Sequence, residues 1–139
     1  MTISSLSLSN VVIMLILVSF NLNISMSADT VQVTMNNRLN NTQLVIHCHD
    51  DQWDSKPQVA PIGQSWTFYF QHNPSSNYLF FCTFAWVEGG IFQVRRFNIY
   101  ETPRDYDCQQ CIWAITEEYP CRISGPGGTE CYDWEPKHV

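Results

Sequence analysis

Two histidines are the first side chains in this sequence whose spacing suggests metal or acid–base chemistry. His47 and His49 lie two residues apart, and on a β-strand that spacing puts both imidazoles on one face, where they could bind zinc. A zinc site needs a third protein ligand, and His72 and His138 have no ligand motif around them. We therefore expect no metal site, and interpret the pair as surface histidines beside a structural cysteine.

Three aspartates follow the histidines and are spaced like the start of a calcium-binding loop. A twelve-residue loop that began at Asp50 and used Asp51 or Asp54 would need glycine at its sixth position and glutamate at its twelfth. Those positions hold Ser55 and Pro61. The pattern favours an acidic turn after a strand, in which Asp side chains cap the backbone.

Residues 108–111 (CQQC) match the C-x-x-C pattern of redox enzymes, which opens a helix inside a βαβ unit. No such unit is predicted here, so we interpret Cys108 and Cys111 as structural, each paired with a distant cysteine. Ser65 lacks the second glycine of a nucleophile elbow. No catalytic, cofactor-binding or metal-binding residue is predicted, and we expect no cofactor and no enzymatic activity.

The chain begins with a segment typical of a cleaved secretory signal. Residues 1–27 contain no Asp, Glu, Lys or Arg, and Val11–Val18 is an apolar run too short to span a bilayer. Small residues follow it at positions 25, 27 and 28, in Ser25-Met26-Ser27-Ala28. We predict a signal peptide over 1–27 and one domain over 28–139, secreted to the extracellular space and not inserted in the membrane after cleavage.

The cysteines and one asparagine fit that compartment. Six cysteines lie beyond the signal, and an even number in an exported chain predicts three disulfides, with fifteen pairings left open. Asn40 starts an N-x-Thr acceptor and is a candidate glycosylation site. The disulfide cysteines are Cys48, Cys82, Cys108, Cys111, Cys121 and Cys131.

The net charge of the chain indicates which classes of partner it can bind. Seven basic and thirteen acidic residues give a net charge of −6. Nucleic-acid binders carry a basic patch, and the only adjacent basic pair here is Arg95-Arg96. We expect no nucleic-acid partner, and a basic protein surface suits this chain better.

Short β-type runs separated by Asn, Pro, Gly and Ser predict an all-β, antiparallel β-sandwich, disulfide-stabilised and of a single domain. Alternation places Cys48, Cys82 and Cys111 on the apolar faces of their strands, so three cysteines should lie in the core. The predicted strands are Thr30–Met35, Gln43–His49, Ser65–Gln71, Tyr78–Trp86, Ile91–Tyr100 and Cys111–Thr116.

Two local features refine this prediction. The apolar alternation slips between Val94 and Phe97, which predicts a β-bulge at Arg95-Arg96. Residues 124–129 (SGPGGT) are predicted to be a loop, with Cys131 tying the tail to the body.

Several blocks resemble the plant self-incompatibility stigma protein family, the S-protein homologues. They are LVIHCHDDQWD from Leu44, GQSWTFYF from Gly63, LFFC from Leu79 with Trp86, FNIY from Phe97, and C-x-x-C-x-W-x-I from Cys108 with Cys121. Gln52-Trp53 departs from the family's usual Asp and Leu-Gly at that loop. The resemblance implies a secreted β-sandwich that acts as a ligand for a cell-surface receptor, as in self-pollen rejection.

The expected contacts lie in loops, because loops on a rigid scaffold commonly carry binding residues. We expect a monomer that binds a membrane receptor protein through the loops Asp50–Gln58, His72–Asn77 and Glu101–Asp107. Asp51, Trp53, Tyr106 and Asp107 are the candidate partner contacts. The alternatives are a small secreted enzyme of the ribonuclease type and a defence or carbohydrate-binding module.

Overall fold

Alternating apolar and polar residues form nine strands in the part of the chain that the computed structural model describes, residues 29–136. The predicted signal peptide, 1–27, lies outside that part and stays a prediction. The strands are β1 (Thr30–Asn37), β2 (Leu44–His49), β3 (Gln58–Ala60), β4 (Ser65–Gln71), β5 (Leu79–Glu88), β6 (Ile91–Glu101), β7 (Gln110–Ile115), β8 (Pro120–Ser124) and β9 (Gly128–Cys131).

These strands form two sheets. The five-stranded sheet has the order β4-β1-β7-β8-β9, and the four-stranded sheet has the order β3-β2-β5-β6. The pairs β2–β3, β2–β5, β5–β6, β7–β8 and β8–β9 are antiparallel, whereas β1 and β7 are parallel. The predicted all-β fold is confirmed, with one parallel pair inside a mostly antiparallel architecture.

The core is formed by the inward faces of the strands. Cys48, Cys82 and Cys111 are each no more than 1% exposed, as alternation predicted. Trp66 and Phe70 of β4 are partly buried and pack against the core, while Phe68 between them is buried, because residues two apart share a face. The largest fully buried side chains include Trp113, Tyr100, Phe84, Met35 and Leu44.

All six predicted strands are present: β4 has the predicted ends, and the ends of the other five differ by at most two residues. The short strands β3, β8 and β9 were not predicted, nor was the single described helix, α1 (Thr102–Asp105). The predicted loop 124–129 is partly wrong: a 3₁₀ turn occupies Gly125–Gly127, but Gly128 and Thr129 pair with Ser124 and Ile123. No helix among residues 29–136 has the length and apolar character needed to cross a membrane.

The bulge predicted at Arg95-Arg96 is wrong. Arg95 and Arg96 pair in unbroken register with β5, and the shift lies at Ile99, since Phe81 pairs with Asn98 and Phe80 with Tyr100. The bulge was predicted in order to bring Phe92 and Val94 onto the apolar face. These two side chains instead lie on the outer face, 66% and 45% exposed, so no bulge is needed there. The bulge instead lets both Ile99 and Tyr100 become fully buried.

Three disulfides connect the six cysteines: Cys48–Cys82, Cys108–Cys111 and Cys121–Cys131. The expectation that Cys108 and Cys111 each pair with a distant cysteine is wrong. Their Cα atoms are 5.5 Å apart, within the usual range for a bridge. Cys48–Cys82 joins two strands of the four-stranded sheet, Cys121–Cys131 joins two strands of the five-stranded sheet, and Cys108–Cys111 is local to the start of β7. None of the three disulfides links the two sheets, so apart from the connecting loops the sheets are held together by side-chain packing in the core.

Candidate functional site

The three loops predicted to carry the contacts meet at one end of the sandwich and form a groove. Its volume is about 580 Å³. We call it the acidic groove, after its carboxylates. It is lined by Asp50, Asp51, Gln52, Asn77, Tyr78, Leu79, Phe81, Glu101 and Pro103.

The β2–β3 loop is held in shape by its own aspartates. One carboxylate oxygen of Asp50 accepts the backbone N–H groups of Gln52 at 2.9 Å and Trp53 at 2.6 Å. The Trp53 ring packs against Phe68 and Phe80, with centroids 5.1 and 6.0 Å apart. The loop is therefore anchored to the core, as expected of an acidic turn capped by Asp side chains.

The β4–β5 loop is tied to α1 by one threonine. The Thr102 hydroxyl accepts the Tyr78 backbone N–H at 2.6 Å, and the Thr102 backbone N–H donates to the Tyr78 carbonyl at 3.1 Å. The Tyr78 hydroxyl accepts the N–H of Asn73 at 2.9 Å. These bonds connect the wall of the groove formed by the β4–β5 loop to the wall formed by α1.

A buried ion network beneath α1 holds that helix on the sheet. Asp105 is fully buried, and its carboxylate accepts hydrogen bonds from Arg122 and Arg104, each at 2.6 Å, and from the Glu101 backbone N–H at 3.0 Å. A buried charge is tolerated only when it is paired in this way. The Arg104 guanidinium also lies about 5 Å from the rings of Phe97, Trp113 and Tyr132.

The groove is acidic because three carboxylates, those of Asp50, Asp51 and Glu101, line it and none of its lining residues is basic. Asp51 is exposed, and its carboxylate has no hydrogen bond or ion pair within residues 29–136. Asp50 is occupied by backbone donors, and Glu101 lies 3.5 Å from Arg104. Asp51 is thus the carboxylate most available to a cationic partner.

The four predicted contacts do not form one cluster. Asp51 lines the groove, whereas Trp53 serves as an anchor and is 37% exposed. Tyr106 is 71% exposed at the end of α1 and does not line the groove. Asp107 is 3.6 Å from Arg122, on the side of α1 that faces β8.

Sequence reasoning missed Tyr78, Thr102 and the Asp105 network. Pro103-Arg104-Asp105 gave one local signal, since proline near the start of a turn followed by charges is typical of a short helix. Nothing near Arg122 in the sequence indicates its partner. That pairing depends on β8 being brought beside α1 by the fold.

The two histidines lie outside the acidic groove. His47 binds Asp54, with its Nε2 atom 2.6 Å from the carboxylate, and His49 meets the Phe81 ring edge-on at 3.8 Å. The Lys56 backbone N–H and the His47 ring hold the pKa of Asp54 below its usual value. In the described range, no group of three or more His, Cys, Asp or Glu side chains is arranged to hold a metal ion.

Asn40 lies at the opposite end of the sandwich from the acidic groove. It is exposed in the β1–β2 loop, while β2 and β5 both run the length of the sheet between the two ends. Its backbone N–H donates to Glu117 at 2.6 Å. The candidate modification site and the candidate binding site are therefore spatially separate.

The fold and the groove define a class: a small, disulfide-stapled β-sandwich whose loops present a rigid surface. The family described as plant self-incompatibility protein S1 matches residues 32–134. S-protein homolog 5 of Arabidopsis thaliana is 36% identical over 104 residues, 74% of this chain and 77% of the relative. S-protein homolog 4 of the same plant is 36% identical over 112 residues, 73% and 70% of the two chains. The chain belongs to this family.

Proposed function

We propose that this chain is a secreted ligand that binds a cell-surface receptor through the acidic groove, in self-pollen rejection or a related signalling process between cells. The observation that carries the proposal is the convergence of three separate loops on one groove with an unpaired carboxylate, Asp51. A ligand of this kind acts as a monomer and needs no cofactor and no catalytic group.

The rigidity of the groove supports a binding role. Ordering a loop on binding costs about 0.5–1.5 kcal/mol for each immobilised side chain, so loops fixed beforehand lose less affinity. The backbone bonds to Asp50, the bonds between Thr102 and Tyr78, and the ion pairs of Asp105 hold the three loops in place before a partner binds. The surface is therefore suited to recognition by shape and charge.

The charge of the groove indicates the chemistry of the receptor. Asp50, Asp51 and Glu101 line it without a basic neighbour among the lining residues, so the complementary surface is a basic segment of an extracellular loop. Electrostatic attraction of this kind speeds association and weakens with added salt. Binding should therefore be faster at low ionic strength.

The proposal is tested with labelled protein, residues 28–139 with disulfides intact, bound to pollen and to other plant cell surfaces. The D51K variant reverses the free carboxylate and should weaken binding about tenfold or more, mainly by slower association. E118K is the matched control, because it makes the same charge reversal at an exposed acid in the turn between β7 and β8, at the far end. Equal binding by wild type and D51K would overturn the role of the groove.

The enzyme alternative is decided on the same protein. A ribonuclease would need His47 or His49 as its acid or base. We expect the wild-type protein to hydrolyse RNA no faster than the buffer background. The H47A and H49A variants should give the same background rate. Turnover that is lost on either substitution would replace the ligand proposal with a catalytic one, and selective binding on a glycan array would replace it with carbohydrate recognition.

A further inference from the structure

A second groove lies at the end of the sandwich opposite the acidic groove, and it contains a complete glycosylation acceptor. Its volume is about 560 Å³. All three acceptor residues, Asn40, Asn41 and Thr42, belong to its lining. We call it the acceptor groove; the rest of its lining is Trp86, Val87, Glu88, Gly89, Gly90 and Glu117.

The acceptor loop is held in place by Asn37, three residues before Asn40. The Asn37 side chain is 1% exposed, and its amide N–H groups donate to the carbonyls of Thr42 at 2.9 Å and Ala60 at 3.0 Å. Its amide oxygen accepts the N–H of buried Leu39 at 2.9 Å. Asn40 is therefore presented from a fixed backbone, and its own side-chain amide has no hydrogen-bond partner among residues 29–136.

The surface facing Asn40 suits a pyranose ring. Val87 is 51% exposed, and the Gly89-Gly90 turn has open space where its Cβ atoms would be. Such a surface accepts the C–H face of a sugar, while carboxylates accept its hydroxyl and amide protons. Glu88 and Glu117 also line the groove and supply those acceptors, with one oxygen of Glu117 already bonded to the Asn40 backbone N–H.

We propose that Asn40 carries an N-linked glycan whose first N-acetylglucosamine lies in the acceptor groove, against Val87 and the Gly89-Gly90 turn. The bond forms between Asn40 Nδ2 and C1 of the sugar, as the bond from C1 to the pyrophosphate of a lipid-linked oligosaccharide donor breaks. The amide proton leaves and the pyrophosphate departs with the bonding electrons, so the step involves no redox change. This modification rests on the export proposed above.

The glycan would cover one end of the molecule and leave the other end accessible. A glycan seated in the acceptor groove covers the exposed apolar tip of the β5–β6 hairpin, where Val87, Ile91 and Phe92 are 51–66% exposed. The same glycan leaves the acidic groove open, because that groove is at the other end of the strands. Glycosylation would thus restrict a large partner to one end of the molecule.

The experiment uses the full-length chain secreted from eukaryotic cells that retain high-mannose glycans. Peptide mass spectrometry first measures occupancy of Asn40. Amide hydrogen exchange over residues 86–91 is then compared between the intact glycoprotein, the same protein trimmed enzymatically to a single N-acetylglucosamine, and the T42A variant, which keeps Asn40 but lacks the acceptor. The intact and trimmed forms should exchange alike, and several-fold more slowly than T42A.

A matched control variant carries the glycan on a different asparagine. Asn73-Pro74-Ser75 lacks acceptor function only because of its proline. The T42A/P74A variant creates an acceptor at Asn73, in the β4–β5 loop, and its residues 86–91 should exchange as fast as in T42A. An unmodified Asn40 in the secreted wild type, or equal exchange in wild type and T42A, would overturn the inference. Receptor binding by the unglycosylated T42A variant is measured separately, so failure of the ligand proposal is distinguishable.

Discussion

The carboxylate of Asp105 and the guanidinium of Arg122 meet at 2.6 Å, although 17 positions separate them in the chain. The contact joins α1 to β8 beneath one wall of the acidic groove. Removing the charge of Asp105 leaves two arginines, each only 12–15% exposed, with only the more distant carboxylates of Glu101 and Asp107, at 3.5 and 3.6 Å.

We therefore expect D105N to lower the free energy of unfolding by about 3–5 kcal/mol, the usual cost of breaking a buried ion pair. Urea unfolding with the disulfides intact measures it. E118Q, at an exposed acid, should change the stability by no more than about 0.5 kcal/mol. A loss below about 1 kcal/mol in D105N would mean that the network adds little to the stability of the fold.

The three disulfides should differ in their contribution to stability because they close loops of different length. Sequence separations are 34 for Cys48–Cys82, 10 for Cys121–Cys131 and 3 for Cys108–Cys111. The chain-entropy relation gives about 4, about 3 and about 2 kcal/mol in that order. Paired Cys-to-Ala variants, compared by urea unfolding, check the ranking.

Mass spectrometry of non-reduced peptides tests the pairing itself, and a peptide linking Cys108 to a distant cysteine would contradict it.

Alkaline pH should destabilise the protein through Tyr100. Burial, with a contribution from the Asp105 charge, raises the pKa of Tyr100 above the ordinary 10.0. The unfolded chain therefore loses this proton at a lower pH than the folded one, so the contribution to stability is complete below pH 10 and is lost as pH rises through the folded pKa.

The Y100F variant isolates this effect. The Tyr100 hydroxyl is buried without a hydrogen-bond partner in the described structure, so its removal should cost little stability at pH 7. Urea unfolding between pH 8 and pH 11 should show a shallower decline in Y100F than in wild type. Some decline should remain, since burial also raises the pKa of Tyr132. Identical pH profiles would contradict the assignment.

Trp53 and Asp51 occupy the same loop but should respond differently to substitution. Trp53 packs on Phe68 and Phe80, so W53A should lower the free energy of unfolding by about 2 kcal/mol, less than the roughly 3–5 of a fully buried aromatic. D51N should leave stability unchanged within about 0.5 kcal/mol, because Asp51 is exposed. Thermal unfolding of both variants tests the difference, and a large loss in D51N would indicate a structural role for that carboxylate.

Apolar alternation in the sequence predicted six of the nine strands and the faces that they bury. Alternation depends only on neighbouring residues, and it placed Cys48, Cys82 and Cys111 in the core and the ends of β4 at Ser65 and Gln71. It failed at the short strands β3, β8 and β9, whose three to five residues are too few for a period to stand out. It also misplaced the bulge, because Phe92 and Val94 were assumed to be buried.

Contacts between residues far apart in the chain follow from the assembled fold and could not be read from local patterns. The pairing of Cys48 with Cys82, the contact of Asp105 with Arg122 and the convergence of the three loops on the acidic groove all depend on how the strands and sheets assemble. Local patterns carry the preference of a residue for a face, but not the identity of its partner across the fold. The partner is selected by the free energy of the whole packed core.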